Sequence, residues 1–161
     1  MSIALPAAAD QALISEALSA GPPQITAEAT VKSNDGKVLR EGSNGWICYP
    51  GSPALGPRCN EPIWDEFIGA LMAQKEPKAV TGFHVSYMLA GEPNTAGVSN
   101  SDPYASDPHA HGDYIKEGPH VMVLAPAAAL AGLSDDPSDP VYVMWGGTPY
   151  AHIMVKTGEQ E

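Results

Sequence analysis

Sixteen glycines and sixteen prolines punctuate the 161 residues. Helix breakers and turn formers at that density leave no room for long elements, and point to short strands joined by many turns. Only 17% of the residues are charged, too few for a solvated helical bundle, while 43% are hydrophobic. A chain of this length buries about two thirds of the surface its unfolded form exposes, so one domain with its own core is expected.

The periodicity divides the chain into short elements. Residues 10–20 read as a helix, with Asp10 as cap and Gly21-Pro22-Pro23 as stop. Residues 24–32 alternate, Ile25, Ala27, Ala29 and Val31 on one side, and read as a half-buried strand. Asn34-Asp35-Gly36 is a hairpin turn signal, followed by strands over 37–41 and 45–49. A helix over 61–74 shows a wide apolar face built from Ile63, Trp64, Phe67, Ile68, Leu71 and Met72. Strands over 82–90 and 119–125, a short Ala-rich helix from Pro126, and a terminal hairpin of 141–145 and 149–155 complete the pattern. The whole predicts an α+β domain: a mainly antiparallel sheet of about six to seven strands, packed by an N-terminal helix and a central amphipathic helix. The domain is expected over residues 10–156, between a signal-like or disordered N-terminus (1–9) and a tail (157–161).

Charge narrows the partners. Eight Lys and Arg stand against nineteen Asp and Glu, a net charge of −11. Nucleic-acid binding needs clustered cations, as does docking on anionic lipid, so neither partner is expected. No apolar run approaches a membrane span. The small residues Ala7 and Ala9 end a short apolar run like the tail of a secretory signal, which predicts a periplasmic or secreted protein. Cys48 and Cys59 flank a Pro/Gly-rich stretch, and an even pair in an exported chain predicts a disulfide that stabilises by roughly 2–3 kcal/mol.

Three strands each carry a histidine with a methionine on the same side: His84 with Met88, His120 with Met122, His152 with Tyr150 and Met154. The opposite sides, Phe83/Val85/Tyr87/Leu89, Val121/Val123 and Ala151/Ile153/Val155, read as ordinary core, which leaves the His/Met side to line a cavity. Three readings follow. The imidazoles of His120 and His152 act as general acid and base in an apolar pocket, with Tyr150 donating a hydrogen bond. Alternatively, the His and Met side chains bind copper or haem. Or they are structural. Trp46, Trp64 and Trp145 read as core or pocket wall. His109, His111 and Asp113, on a long loop over 91–118, are weak metal candidates or part of a lid. No GxSxG, Walker A, HExxH or dinucleotide fingerprint is present, so an organic cofactor is not expected.

The stretches Gly42-Ser43-Asn44-Gly45-Trp46-Ile47-Cys48, Gly118-Pro119-His120-Val121-Met122 and Gly147 to Met154 resemble those of an uncharacterised family of small, mostly exported bacterial proteins. The resemblance spans most of residues 24–155. It implies export and draws attention to Trp46, His120, Tyr150 and His152, without implying an activity. The functional expectation is a small-molecule pocket protein: a cofactor-independent lyase, isomerase or hydrolase, or alternatively a non-catalytic periplasmic binding protein, or a structural or assembly subunit. Self-association is left open.

Overall fold

A computed structural model describes residues 7–93 and 97–159. Its elements, in chain order, are α1 (Ala8–Leu18), α2 (Pro23–Thr26), β1 (Thr30–Lys32), β2 (Val38–Arg40), β3 (Ile47–Tyr49), β4 (Arg58–Asn60), α3 (Pro62–Met72) and β5 (His84–Met88). Then come β6 (Val98–Ser99), a 3-10 turn at Pro108–His111, β7 (Tyr114–Ile115), β8 (His120–Leu124), α4 (Ala127–Leu130), β9 (Val141–Met144) and β10 (His152–Lys156). Eight strands form one sheet in the order β2-β1-β3-β4-β5-β8-β10-β9, and β6 pairs with β7 as a separate ribbon. β1 and β3 run parallel. Every other pair in the sheet is antiparallel. The α+β class is as expected, and the sheet is larger than the sequence predicts.

The added strand is β4, inside the stretch read as a loop. Arg58–Asn60 pairs with β3 so that Cys59 faces Cys48 directly, and the two form the disulfide. A three-residue strand between prolines carries no periodicity to read, and its partner strand supplies the reason for its conformation. The predicted strand over 24–32 is corrected. Pro23 opens a turn of helix, for which its fixed φ is suited, and only 30–32 is extended. Asp10 is not the cap of α1. The cap position is Ala7, and Asp10 lies in the first turn and pairs with Lys37 at 3.0 Å. Ala8 and Ala9 belong to the helix, while residues 1–6 of the signal-like stretch lie outside the described residues. Gly36, at φ 90°, makes the hairpin turn as expected.

The two long helices lie on opposite faces of the sheet. Ile14 and Ala17 of α1 pack on Val31, Cys48 and Cys59. Trp64, Phe67 and Leu71 of α3 pack on Met88, Met122, Leu124 and Met154. Cys59 pairs with Tyr87, and the next residue, Asn60, pairs with Ser86, so the Cys face and the Met face are the two sides of one sheet. This reverses one expectation. The valine side of β5, β8 and β10 is only half-buried, and Phe83 is 66% exposed. The His/Met side is the core, because α3 covers it while α1 stops at the other half of the sheet.

Candidate functional site

A small hollow of about 40 Å³ lies between α3 and the β5-β8-β10-β9 half of the sheet. Its apolar lining joins Met88, Met122, Met144 and Met154 from four adjacent strands, Trp64 from α3 and Trp145 after β9 to four aliphatic side chains. His120, His152, Arg58 and Glu92 supply its polar groups. The strand alternation places the histidines here, since each lies two residues from a lining methionine.

Antiparallel pairing converts the repeated His-x-Met pattern into an inverted one. Met154 lies opposite Met122, and His120 lies opposite Lys156. The two methionines therefore meet in the middle and the two histidines sit at opposite ends, four residues apart in register, or about 13 Å along the sheet. At that separation the rings do not bond to each other; each addresses one end of the hollow.

Both rings are anchored by the same local device. His120 Nδ1 donates to the carbonyl of Gly118 at 2.7 Å, and His152 Nδ1 to the carbonyl of Tyr150 at 2.9 Å. A carbonyl only accepts, so Nδ1 carries the proton and a neutral ring presents the lone pair of Nε2. Burial keeps both neutral: it pulls His120 below the usual range and His152 down to about 4 against the pull of the Tyr150 carbonyl. His152 Nε2 is buried and bonds to nothing. The ring is boxed by the edges of Trp64, Trp145 and Phe67, with centroids 5.3, 5.2 and 6.2 Å away.

Trp145 holds its place at a backbone φ of 55°, a region that bulky residues rarely adopt. The indole Nε1 donates to the carbonyl of Ser99 at 2.8 Å, and its backbone N–H donates to Asn100 at 2.8 Å. Thr148 closes the turn by donating its hydroxyl to the Trp145 carbonyl at 2.8 Å. Within the loop, the β6–β7 ribbon is thus tied to the hollow's wall. At the loop's base the Glu92 N–H donates to the Glu117 carbonyl at 3.0 Å, and the Glu117 N–H donates to the Glu92 carboxylate at 2.9 Å.

The other predicted residues are elsewhere. Tyr150 does not face the hollow: its hydroxyl donates to the Lys75 carbonyl at 2.7 Å and accepts from Tyr104 at 2.6 Å. The hydrogen-bond donor expected of it is spent on joining the end of α3 to the long loop. Tyr150→Phe should therefore lower stability by about 1 kcal/mol in a denaturant melt and leave occupancy of the hollow unchanged. Trp46 packs against Tyr87 at 5.5 Å on the α1 face, outside the hollow. His84 lies at the far end of β5, its Nδ1 3.0 Å from Glu61 and its Nε2 3.0 Å from the Thr81 carbonyl, and lines an outer groove beside α3.

The loop cluster does not converge. His109 stacks on Tyr114 with centroids 4.0 Å apart, and Asp113 is occupied by Ser99 and Ser101. Those serine contacts hold its carboxyl below the usual range. Among the described residues no three His, Cys, Asp or Glu side chains are grouped to hold a metal ion. A hollow of about 40 Å³ does not admit a haem macrocycle.

Arg58, Glu92 and Met144 are the site residues that sequence reasoning missed. Met144 was open to discovery, because it pairs with His152 across the terminal hairpin. Arg58 and Glu92 lie in Pro/Gly-rich segments that carry no signal of burial. Comparison of the chain with known protein families, with curated proteins and with solved structures finds no match.

Proposed function

We propose that this chain is an exported small-molecule-binding protein whose interior hollow takes a small, largely apolar ligand. The observation that carries the reading is His152 Nε2, a buried, neutral acceptor without a partner on the wall of an otherwise apolar space. A buried polar atom left unsatisfied costs on the order of 1–3 kcal/mol, and a ligand donor at that nitrogen would recover it. The buried Cys48–Cys59 bridge supports an oxidising compartment, and so the periplasmic or secreted reading. Among the described residues no helix is long and apolar enough to cross a membrane. A ligand that small reaches one ring at a time, since His120 lies about 13 Å along the sheet from His152. Proton transfer by His152 acting alone is the form a cofactor-independent lyase or isomerase would take here.

The four lining methionines make the reading testable. Their ε-methyl groups report on the hollow by NMR, and Met72, 76% exposed on α3, serves as internal control. Xenon, which enters dry apolar cavities, should shift the signals of Met88, Met122, Met144 and Met154 and leave that of Met72 in place. An unchanged set of four under xenon pressure would refute the hollow as a ligand site. Imidazole with thioethers is also a soft donor set, so copper(I) is the second probe. A shift with copper(I) and none with xenon would reassign the hollow to a metal.

A further inference from the structure

Arg58 is the side chain whose surroundings the fold leaves incomplete. It projects from β4 into the wall of the hollow, beside Leu55 and Glu92. Its guanidinium carbon lies 4.6 Å from the centre of the Tyr49 ring, and Nη2 is 3.4 Å from Asn34 Oδ1. Its Nε and Nη1 atoms are out of contact with solvent and bond to nothing. Among the described residues no carboxylate lies within 4.0 Å of it.

A guanidinium does not give up its proton in a protein, so Arg58 brings a full charge into a desolvated wall. Stacking on Tyr49 engages the face of the group and leaves the N–H edges open. The residue is half-buried, and its two desolvated donors are the ones an anion beside them would satisfy. The Asp65 carboxylate, which accepts from the Tyr49 hydroxyl at 2.8 Å, acts on the guanidinium through space, but it lies beyond 4.0 Å and leaves the two open N–H groups unfilled.

We infer that the hollow's ligand is a short-chain monocarboxylate, its carboxylate held by the open N–H groups of Arg58 and its alkyl tail by the methionine and tryptophan lining. The inference rests on the reading of the hollow as a ligand site and assigns that ligand its class. Size agrees. At roughly 10–15 Å³ per water position, the hollow takes about three waters, or a carboxylate with a tail of about two carbons. Glu92, the carboxyl in the same wall, is pushed up to about 7 by its burial, so at neutral pH it does not set a full second negative charge against the first.

The methionine-methyl spectrum at pH 7 separates the outcomes, with propionate and its neutral isostere propionamide as probes. Propionate should shift the four lining methyls with an affinity about tenfold or more above that of propionamide. Arg58→Gln should bring the propionate affinity down to the propionamide level and leave propionamide binding as it was. Equal affinity for the two probes in the wild-type protein would overturn the inference, as would an Arg58→Gln protein that binds propionate undiminished. The wild-type comparison stands even where Arg58→Gln does not fold. Shifts from xenon with none from propionate overturn the carboxylate assignment and leave the hollow as a ligand site; silence from both probes overturns both.

Discussion

Glu92→Gln should steepen the loss of stability on acidification by about 3 kcal/mol between pH 7 and pH 4.5. Two buried groups oppose each other in that window. His152 titrates at about 4 in the fold against 6.5 for an ordinary histidine, because burial disfavours the imidazolium. For a base held low, the stabilisation is complete above pH 6.5 and is lost as the pH falls toward 4, a difference of about 3 kcal/mol. His120 is displaced in the same direction and adds to that loss. Glu92 works the other way. Its carboxyl titrates at about 7 in the fold against 4.5, so its ionisation penalises the fold above pH 7, and the penalty is relieved as the pH falls toward 4.5. The two contributions are of similar size and opposite slope. Removing Glu92 leaves the histidines uncompensated; His152→Gln removes one of the two opposing contributions and should flatten the loss of stability on acidification. The lowered carboxyls of Asp35, Asp113 and Asp136 lose their contribution only below pH 3.8, outside the window. Guanidinium midpoints at pH 7, 6, 5 and 4.5 measure the slopes. Parallel curves for wild type and Glu92→Gln would show that the carboxyl does not titrate in this range.

Loss of the Cys48–Cys59 bridge is the second large effect expected. The two cysteines are eleven positions apart, fully buried, and opposed on paired strands. Closing a loop of that length removes unfolded-state entropy worth about 3 kcal/mol. Cys48→Ala/Cys59→Ala should therefore lower the melting temperature by about 6–12 °C. The bridge lies in the α1-side core, and the hollow lies on the other face. The double variant should thus keep the wild-type response of its four methionine methyls to xenon. A drop of less than about 2 °C would mean that the bridge only ties together strands already held by their neighbours.

The His/Met alternation on the strands at 120 and 152 was legible because period two is a local property of extended chain, and one methionine marks the side of the next histidine. The wide apolar face of α3 was legible for the same reason, although Ile63 and Met72 turn out exposed at its margins. What such patterns do not contain is which side of a strand a helix will cover. Val121, Val123, Ile153 and Val155 are as apolar as any core set, yet they are left half-buried because α3 packs on the other side. The orientation of Tyr150 was equally hidden. The side chain follows strand parity, but its hydroxyl is claimed by Lys75 and Tyr104, residues 75 and 46 positions away.

Composition and local periodicity decided by themselves that the chain forms short strands, an N-terminal helix and a central amphipathic helix, that its cysteines lie where a bridge closes a short loop, and that two strands carry paired His and Met side chains. These follow from interactions between residues close in the chain. Tertiary structure alone decided that the repeat is inverted, with the methionines central and the histidines at the ends, because the antiparallel register of β8 and β10 sets it. It also decided that Arg58 and Glu92 enter the wall of the hollow, since the burial of a polar side chain depends on neighbours that arrive from distant parts of the chain.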